Sequence, residues 1–542
     1  MGLQVATTSR HTDRIAFALL LLFAAAIRLV ALDRQPLWID EANSLLIAWR
    51  GLTGMTEALS VDGNPPLFYV LLGIWTSALG SGEAAARALP ACIGVACVAA
   101  TFWGARELLP GRRFAALFAA AVVALGPLSV ALSRTVRMYT LTPLIALTAV
   151  LCLDRALRSP PGATRTRWWA AHAGLLAMGL YAHNYFLFVL PLGIVLAWLA
   201  PGAQGRRRAL FVAGAAIGVA GLAYLPWVPV LLGQMGSGVS AWIRPFFEST
   251  PPVAAIPRSF EVMGVGASFP GYLGPLSRLS DGIPGDALWI AVRVAGASLT
   301  AFLLWFAVFR GREDEARPES VGILGALLVL PLLLPWLVSL VWQPVYLVGR
   351  YEVVASTAFA LLVGRGIDVL WQERPAVAAA AAAAWCGLAI LSLLAYFAVP
   401  VDDGERQSAA WIRANARPGD VFVFPGYSRA VPEYYLRVAG FEGERVSFPA
   451  SVGRHMGWFD AEHAVREADA TRREAERLAD RLGQGVDAGG RVLLLDVDSV
   501  ARRAGVTGLL RSALRARTGG EEAIPSTRPR APPPVYLYSN TR

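Results

Sequence analysis

The sequence predicts a polytopic α-helical membrane protein of about eleven transmembrane helices, with a small soluble α/β domain at its C-terminal end. Three observations carry that expectation. The 542 residues are 55% hydrophobic and only 16% charged, with a mean hydropathy of +0.49, whereas soluble domains carry about a quarter charged residues. Long apolar runs alternate with short arginine clusters up to about residue 400. Beyond Val401 the composition turns into that of a soluble domain.

The first apolar run, Ile15 to Leu32, follows Arg10 and Arg14 and reads as an uncleaved anchor rather than a signal peptide, because no small-x-small cleavage site follows it. Arg28, late in that run, either snorkels or points into the protein. The paired prolines Pro65 and Pro66 forbid a helix interior just before Leu67. The stretch Leu67 to Leu79 is short for a span and reads as an interfacial or re-entrant helix. Further spans are expected near 89–108, 114–132, 141–157, 168–181, 186–199, 210–232, 287–309, 321–342, 353–370 and 376–399. Residues 1–400 then form a transmembrane domain with a first outer loop at 33–88 and a long Pro/Gly-rich outer loop at 233–286, and 401–542 form the α/β domain. In the latter, strands are expected at 420–424, 492–495 and 535–538 and helices at 405–416, 431–438, 460–482 and 499–515, with a loose Pro/Arg-rich tail at 527–534.

The formal charge of +10 does not point to nucleic acid. The basic residues sit in clusters between spans, as cytoplasmic loop charges do. Arg10/Arg14, Arg106/Arg112/Arg113, Arg155 to Arg167, Arg206 to Arg208, Arg310/Arg312/Arg317 and Arg374 occupy alternate loops, which sets the N-terminus inside and the C-terminus outside. Every basic side chain apart from histidine is arginine, so an anion would be held by guanidinium forks or by backbone and hydroxyl donors. The four cysteines all lie in apolar segments, without metal-ligand spacing or a disulfide framework. No Gly-rich phosphate loop is present.

All the candidate chemistry falls on the outer side. Asp40 and Glu41 follow the first span directly. Such carboxylates can take a proton from an attacking hydroxyl, bind a cation, or merely cap the helix that starts nearby. Arg134 and Arg137 are three residues apart at a span end, with Tyr139 beyond them, and could fork a phosphate. The bland alternative is interfacial snorkelling beside an aromatic belt. Arg350 and Tyr351 repeat the pattern, with Tyr346 just before them, and His183 and Tyr185 occupy another outer turn. A divalent metal on Asp40, Glu41 and His183 is an open alternative that rests on one histidine with no spacing signature.

Six stretches in this order, LVALDRQPLWIDEANSLLIA, NPPLFYVLLGIW, GEAAARALPACIG, SRTVRMYTL, YAHNYF and GRYEVVASTAFALL, resemble the GT-C superfamily of membrane glycosyltransferases. They are most similar to the bacterial relatives of protein O-mannosyltransferases and of the lipid A aminoarabinose transferase, over roughly residues 14–370. The resemblance implies a polyprenyl-phosphate-linked sugar as donor and a hydroxyl acceptor on a lipid, glycan or protein. It also implies inverting transfer at the extracytoplasmic face of the cytoplasmic (inner) membrane. It makes Asp40 the base or its close partner, puts Arg137 and Tyr139 near the donor phosphate, and makes Arg350 a further phosphate contact. Where relatives commonly place His or Lys before the paired prolines, this chain has Asn64, a neutral hydrogen-bonding group and a poor metal ligand. A lipid or glycan transporter and a non-catalytic membrane scaffold share the hydropathy. A transporter, however, predicts repeated halves with Gly/Pro-broken spans and midplane charges, which this sequence lacks.

Overall fold

The computed structural model describes residues 2–199, 203–236, 243–266, 286–311, 317, 319–399, 401, 404–453, 455–456, 459, 461–495, 501, 504–524 and 535–539. Much of the expected outer loop 233–286, part of the expected helix 499–515 and the tail 527–534 lie outside them. The chain divides into two compact units. One comprises Met1–Leu32, Gly63–Phe68 and Arg87–Val399; the other comprises Asp33–Asp62, Tyr69–Ala86 and Pro400–Arg542.

The first unit is all helical. Among the described residues, seven helices are long and apolar enough to cross a membrane, and eight if the bent pair Arg113–Leu125 and Pro127–Ser133 is one span. The other three expected spans are helical but fall short of that criterion. The helix Gly2–Leu29 carries Asp13 and Arg14 just before its apolar run and Arg28 inside it, Ala163–Ala182 holds two arginines and other polar residues, and Asn184–Leu199 is short. Leu67–Leu79 is a 13-residue helix, as its length suggested.

At the centre of this unit lies Ser356–Glu373, buried from Thr357 to Leu370. Glycine lets its neighbours close in: a Cβ at Gly364 would sit 2.5 Å from the carbonyl oxygen of Ala115, and one at Gly366 would run into the backbone of Leu303. Such small-residue contacts are how helices gain packing where lipid supplies no hydrophobic drive.

Helix ends in an apolar layer leave carbonyls without donors, and arginines fill that need here. The Arg113–Leu125 helix stops at Gly126-Pro127, because proline cannot donate to the preceding turn. Arg28, fully buried, donates to the freed carbonyls of Val123 at 2.7 Å and Ala124 at 2.9 Å, and to Ser129 and Ser133. It therefore points inward. Gly94 makes room for it, since a Cβ there would lie 3.1 Å from Arg28 Nε. Buried Arg365 likewise donates to the carbonyls of Ala307, Arg310 and Gly311 at the end of Asp286–Phe309. At an opposite helix end, Asp368 accepts from the Phe114 and Ala115 amides and pairs with Arg112 at 3.1 Å.

The second unit holds a five-stranded sheet of order β2-β1-β3-β5-β4, with β1 Val421–Pro425, β2 Glu444–Phe448, β3 Val492–Leu495, β4 Glu522–Ile524 and β5 Val535–Tyr538. β1 runs parallel to β2 and β3, whereas β5 is antiparallel to β3 and β4. Both faces of its centre are covered. Phe422, Phe424, Leu493 and Leu495 meet helices Gly404–Asn415 and Ala430–Val438 on one side. Val423, Val492 and Leu494 meet Ala468–Asp487 and Val506–Thr518 on the other. Burial on both faces is why VFVF and VLLL read as unbroken apolar runs. β2 and β4 escaped the sequence reading because polar residues open the edge strand ERVSF and EAI spans only three residues.

Two outcomes follow. Arg28→Leu strands several carbonyls in an apolar interior at about 1–3 kcal/mol each, so unfolding in detergent is expected to be easier by several kcal/mol, read as a lower thermal midpoint. In the second unit, burial of Glu521 is outweighed by bonds from Arg511, Arg515 and Tyr538, which pull its carboxyl down to about 2. A depressed folded-state value adds stability above the ordinary carboxylate value of 4.5 and loses it as pH falls towards 2. The midpoint of this unit is therefore expected to fall over that window, and Glu521→Gln to flatten the dependence.

Candidate active site

The predicted residues gather in two groups, one in each unit. In the first, the segment after Ser133 turns through Arg134–Arg137 into the short helix Met138–Thr140, which buries Tyr139. Arg350 Nε donates to the Tyr139 hydroxyl, and its guanidinium carbon lies 5.5 Å from the centre of that ring. The Arg137 guanidinium is 6.0 Å from the same ring. Both arginines are about one-twentieth exposed. Next to them, the rings of His183 and Tyr351 are 4.8 Å apart, and Tyr185 lies 6.0 Å from Tyr351. His183 Nδ1 accepts the Tyr185 amide at 3.0 Å, which leaves its proton on Nε2 in the neutral form. The Tyr185 hydroxyl donates to the carbonyl of Pro331, freed by the prolines in Ser320–Val341. Six residues chosen from the sequence, Arg137, Tyr139, His183, Tyr185, Arg350 and Tyr351, thus share one cluster.

Arg134 is placed differently. Its Nη atoms donate to the carbonyls of Ile27, Arg28, Val30 and Ala31 at 2.7–3.2 Å, and its guanidinium lies over Phe397. It caps the end of the first helix. Asn64 is buried, and the neighbouring Gly63 carbonyl accepts from Asn184 at 2.9 Å, beside His183.

Glu352 is the residue that the sequence reading passed over. Fully buried, it accepts from the Gly349 and Arg350 amides and from Ser259 Oγ at 2.8 Å, while Ser259 also meets the Tyr346 hydroxyl at 2.8 Å. The carboxylate thereby fixes the loop that presents Arg350. An acid at the start of an apolar run, next to the selected Arg350-Tyr351 pair, was the available signal. A small recess lined by Tyr139, Gly94, Cys97, Val123, Pro143 and Ser356 among others adjoins this cluster.

The second group is built on the helix Ile39–Ala48. Asp40 and Glu41 occupy its first turn, where the unpaired amides and the helix dipole favour negative charge. Their surroundings differ. Glu41 is buried and accepts the Trp38 amide at 3.3 Å, a capping role. Asp40 is only partly buried, and its backbone carbonyl accepts from Ser44. The helix is held at both ends and along one face. Before it, the Leu37 amide donates to the Tyr435 hydroxyl, which donates to Glu83; Arg406 pairs with Glu83 at 2.6 Å. Burial and then Glu83 push the Tyr435 phenol upward. Along the face, Asn43 meets His455 Nε2 at 3.0 Å, and His455 meets Asp62 at 3.0 Å. After it, Trp49 stacks on Tyr434 at 5.9 Å. Asp62 and His455 carried no spacing signal, because 393 residues separate them.

Among the described residues, no three His, Cys, Asp or Glu side chains are grouped to hold a metal. Glu41 serves as a cap and His183 Nδ1 is engaged by an amide. Among the described residues, the side chains present do not fit the metal set of Asp40, Glu41 and His183.

The profile of the dolichyl-phosphate-mannose-protein mannosyltransferase family matches residues 57–234. No curated protein matches the chain in sequence. Among solved structures, the chain is similar to ArnT from Cupriavidus metallidurans in the apo state, with a TM-score of 0.59 at 14% identity over 97% of both chains. It is similar to the same protein bound to undecaprenyl phosphate, with a TM-score of 0.57 at 13% identity over 97% of this chain and 98% of that one. It also resembles the Archaeoglobus fulgidus oligosaccharyltransferase solved with Zn and sulfate, with a TM-score of 0.54 at 14% identity over 97% of this chain and 73% of that one. This multi-span membrane protein therefore has the fold of these solved membrane proteins, and part of it, residues 57–234, is similar to the dolichyl-phosphate-mannose-protein mannosyltransferase family.

Proposed function

We propose that the chain is an inverting glycosyltransferase that moves a sugar from a polyprenyl-phosphate donor to a hydroxyl acceptor at the outer face of the cytoplasmic membrane. The observation that carries this reading is the cluster of Arg137, Tyr139 and Arg350, in which two nearly buried guanidiniums surround one tyrosine at the ends of spans. The solved ArnT complex with undecaprenyl phosphate, which has the same fold, supports a lipid-phosphate donor.

In this reading Arg137 and Arg350 hold the donor phosphate, with Tyr139, Tyr351, His183, Tyr185 and Asn64 shaping its surroundings, while Arg134 positions the Arg137 segment. Asp40 takes the proton of the acceptor hydroxyl as that oxygen attacks the anomeric carbon. The bond to the phosphate oxygen breaks on the opposite face, and the electron pair leaves on polyprenyl phosphate. The arginines stabilise the charge that develops there, the contribution that usually dominates. Glu41 and the contacts of Tyr435 and His455 hold the helix that carries Asp40. The arginine pattern of the loops supports an extracytoplasmic placement of this chemistry and of the C-terminal domain.

Asp40→Asn is expected to lower transfer by about 10²–10⁴-fold with an unchanged thermal midpoint, measured as sugar transferred from a synthetic polyprenyl-phosphate sugar to glycolipid or glycoprotein in proteoliposomes. Near-normal turnover by that variant overturns the assignment. Glu352→Ala frees the loop that carries Arg350 and is expected to lower kcat/KM for the donor by roughly 10–100-fold, the scale of a 1 Å misplacement. Glu352→Gln, which keeps one acceptor oxygen, is expected to lose less in the same assay.

A further inference from the structure

Within the second unit, positive charge is concentrated around one carboxylate on the helix that also carries Tyr434 and Tyr435. Glu433, on Ala430–Val438, is only 2% exposed. Arg429 and Arg437 lie one turn to either side of it, with Nε atoms 3.1 and 3.4 Å from its oxygens. Arg445, on β2, brings its Nε to 3.1 Å. Arg429 Nη1 also donates to Ser447 at 3.0 Å, and Arg445 Nη1 to the Phe441 carbonyl at 2.7 Å. Those bonds fix two forks, only 14% and 16% exposed. Among the described residues, Nη2 of each fork and both Nη atoms of the 45%-exposed Arg437 meet no protein acceptor.

One carboxylate balances one guanidinium. Burial lowers the Arg429 pKa, and Arg445 and Arg437 add to that against the pull of Glu433. Among the described residues, three arginines thus face one glutamate. Holding like charges together with little exposure to water is costly unless an anion joins them.

We propose that Arg429, Arg437 and Arg445 form a binding site for a phosphate group, built from other residues than the donor-phosphate arginines proposed above. Glu433 acts as the anchor that pre-orients the forks, and the unused Nη donors make the bidentate contacts for which guanidinium is suited. A phosphate monoester carries a charge of about −1.5 to −2, which matches the excess. The phosphate belongs either to a lipid headgroup or to a free phosphate compound.

The test uses the full-length protein, with Arg437→Gln/Arg445→Gln as the main variant, the exposed Arg437→Gln alone as a milder one, and thermal midpoints to confirm folding. In one arm, inorganic pyrophosphate is titrated calorimetrically against protein in neutral detergent. In the other, native mass spectrometry counts phosphatidic acid, whose headgroup is a phosphate monoester, retained in competition with phosphatidylcholine. Saturable binding in either arm that weakens at least 10-fold in the double variant, and less in the single one, supports the site. The arm that responds tells free phosphate from headgroup. Wild-type affinity in the folded double variant, or no saturable binding in both arms, overturns it. Asp40→Asn is expected to bind both probes as the wild type does, so this outcome is independent of the transferase reading.

Discussion

Backbone carbonyls at helix ends, placed where water cannot reach them, are the constraint from which the helical unit is built. Each costs free energy if it is left without a donor, and the broken helices of this unit create several. Arg28 meets those released at Gly126-Pro127, Arg134 those at the end of the first helix, and Arg365 those at the end of Asp286–Phe309. Guanidinium suits the task because five donors in a plane can serve several diverging carbonyls at once. A chain without lysine therefore spends much of its buried positive charge on architecture.

That expenditure separates the arginines by role. Arg28, Arg134 and Arg365 are engaged by carbonyls, and Arg112 and Arg317 by Asp368 and Asp154. Arg137 and Arg350 instead flank the ring of Tyr139, with Glu352 bracing the loop behind Arg350. A buried carboxylate that accepts two amides and a hydroxyl fixes a loop more rigidly than packing alone, because its geometry is set by several directional bonds. The rigidity of this cluster is what makes it a candidate for holding an anion whose charge changes during reaction.

In the second unit the same logic acts on a helix instead of a loop. Tyr435 fixes the approach to Ile39–Ala48, His455 and Asn43 hold its face, and Tyr434 covers Trp49 at its end. The C-terminal residues are thus part of the scaffold that presents Asp40. The parallel core of the sheet, covered on both faces, gives that scaffold its stiffness.

The sequence alone determined the class of protein, the order of its helical segments, the central strands and most of the arginine–tyrosine cluster. Apolar runs, proline stops and the placement of Arg137, Tyr139, Arg350 and Tyr351 are local signals, readable over a few residues. The resemblance singled out Asp40, but residue type and spacing alone do not separate it from Glu41, because adjacent carboxylates look alike until one is buried as a cap and the other left partly exposed. The resemblance favoured Arg137 over Arg134, but residue type and spacing alone do not distinguish them, since only folding brings the carbonyls of residues 27–31 to one and the Tyr139 ring to the other. The Asp62–His455 contact and the arginines around Glu433 belong to the tertiary structure for the same reason: their chemistry depends on pairings across the chain, and residue type and spacing carry no record of which distant groups will meet.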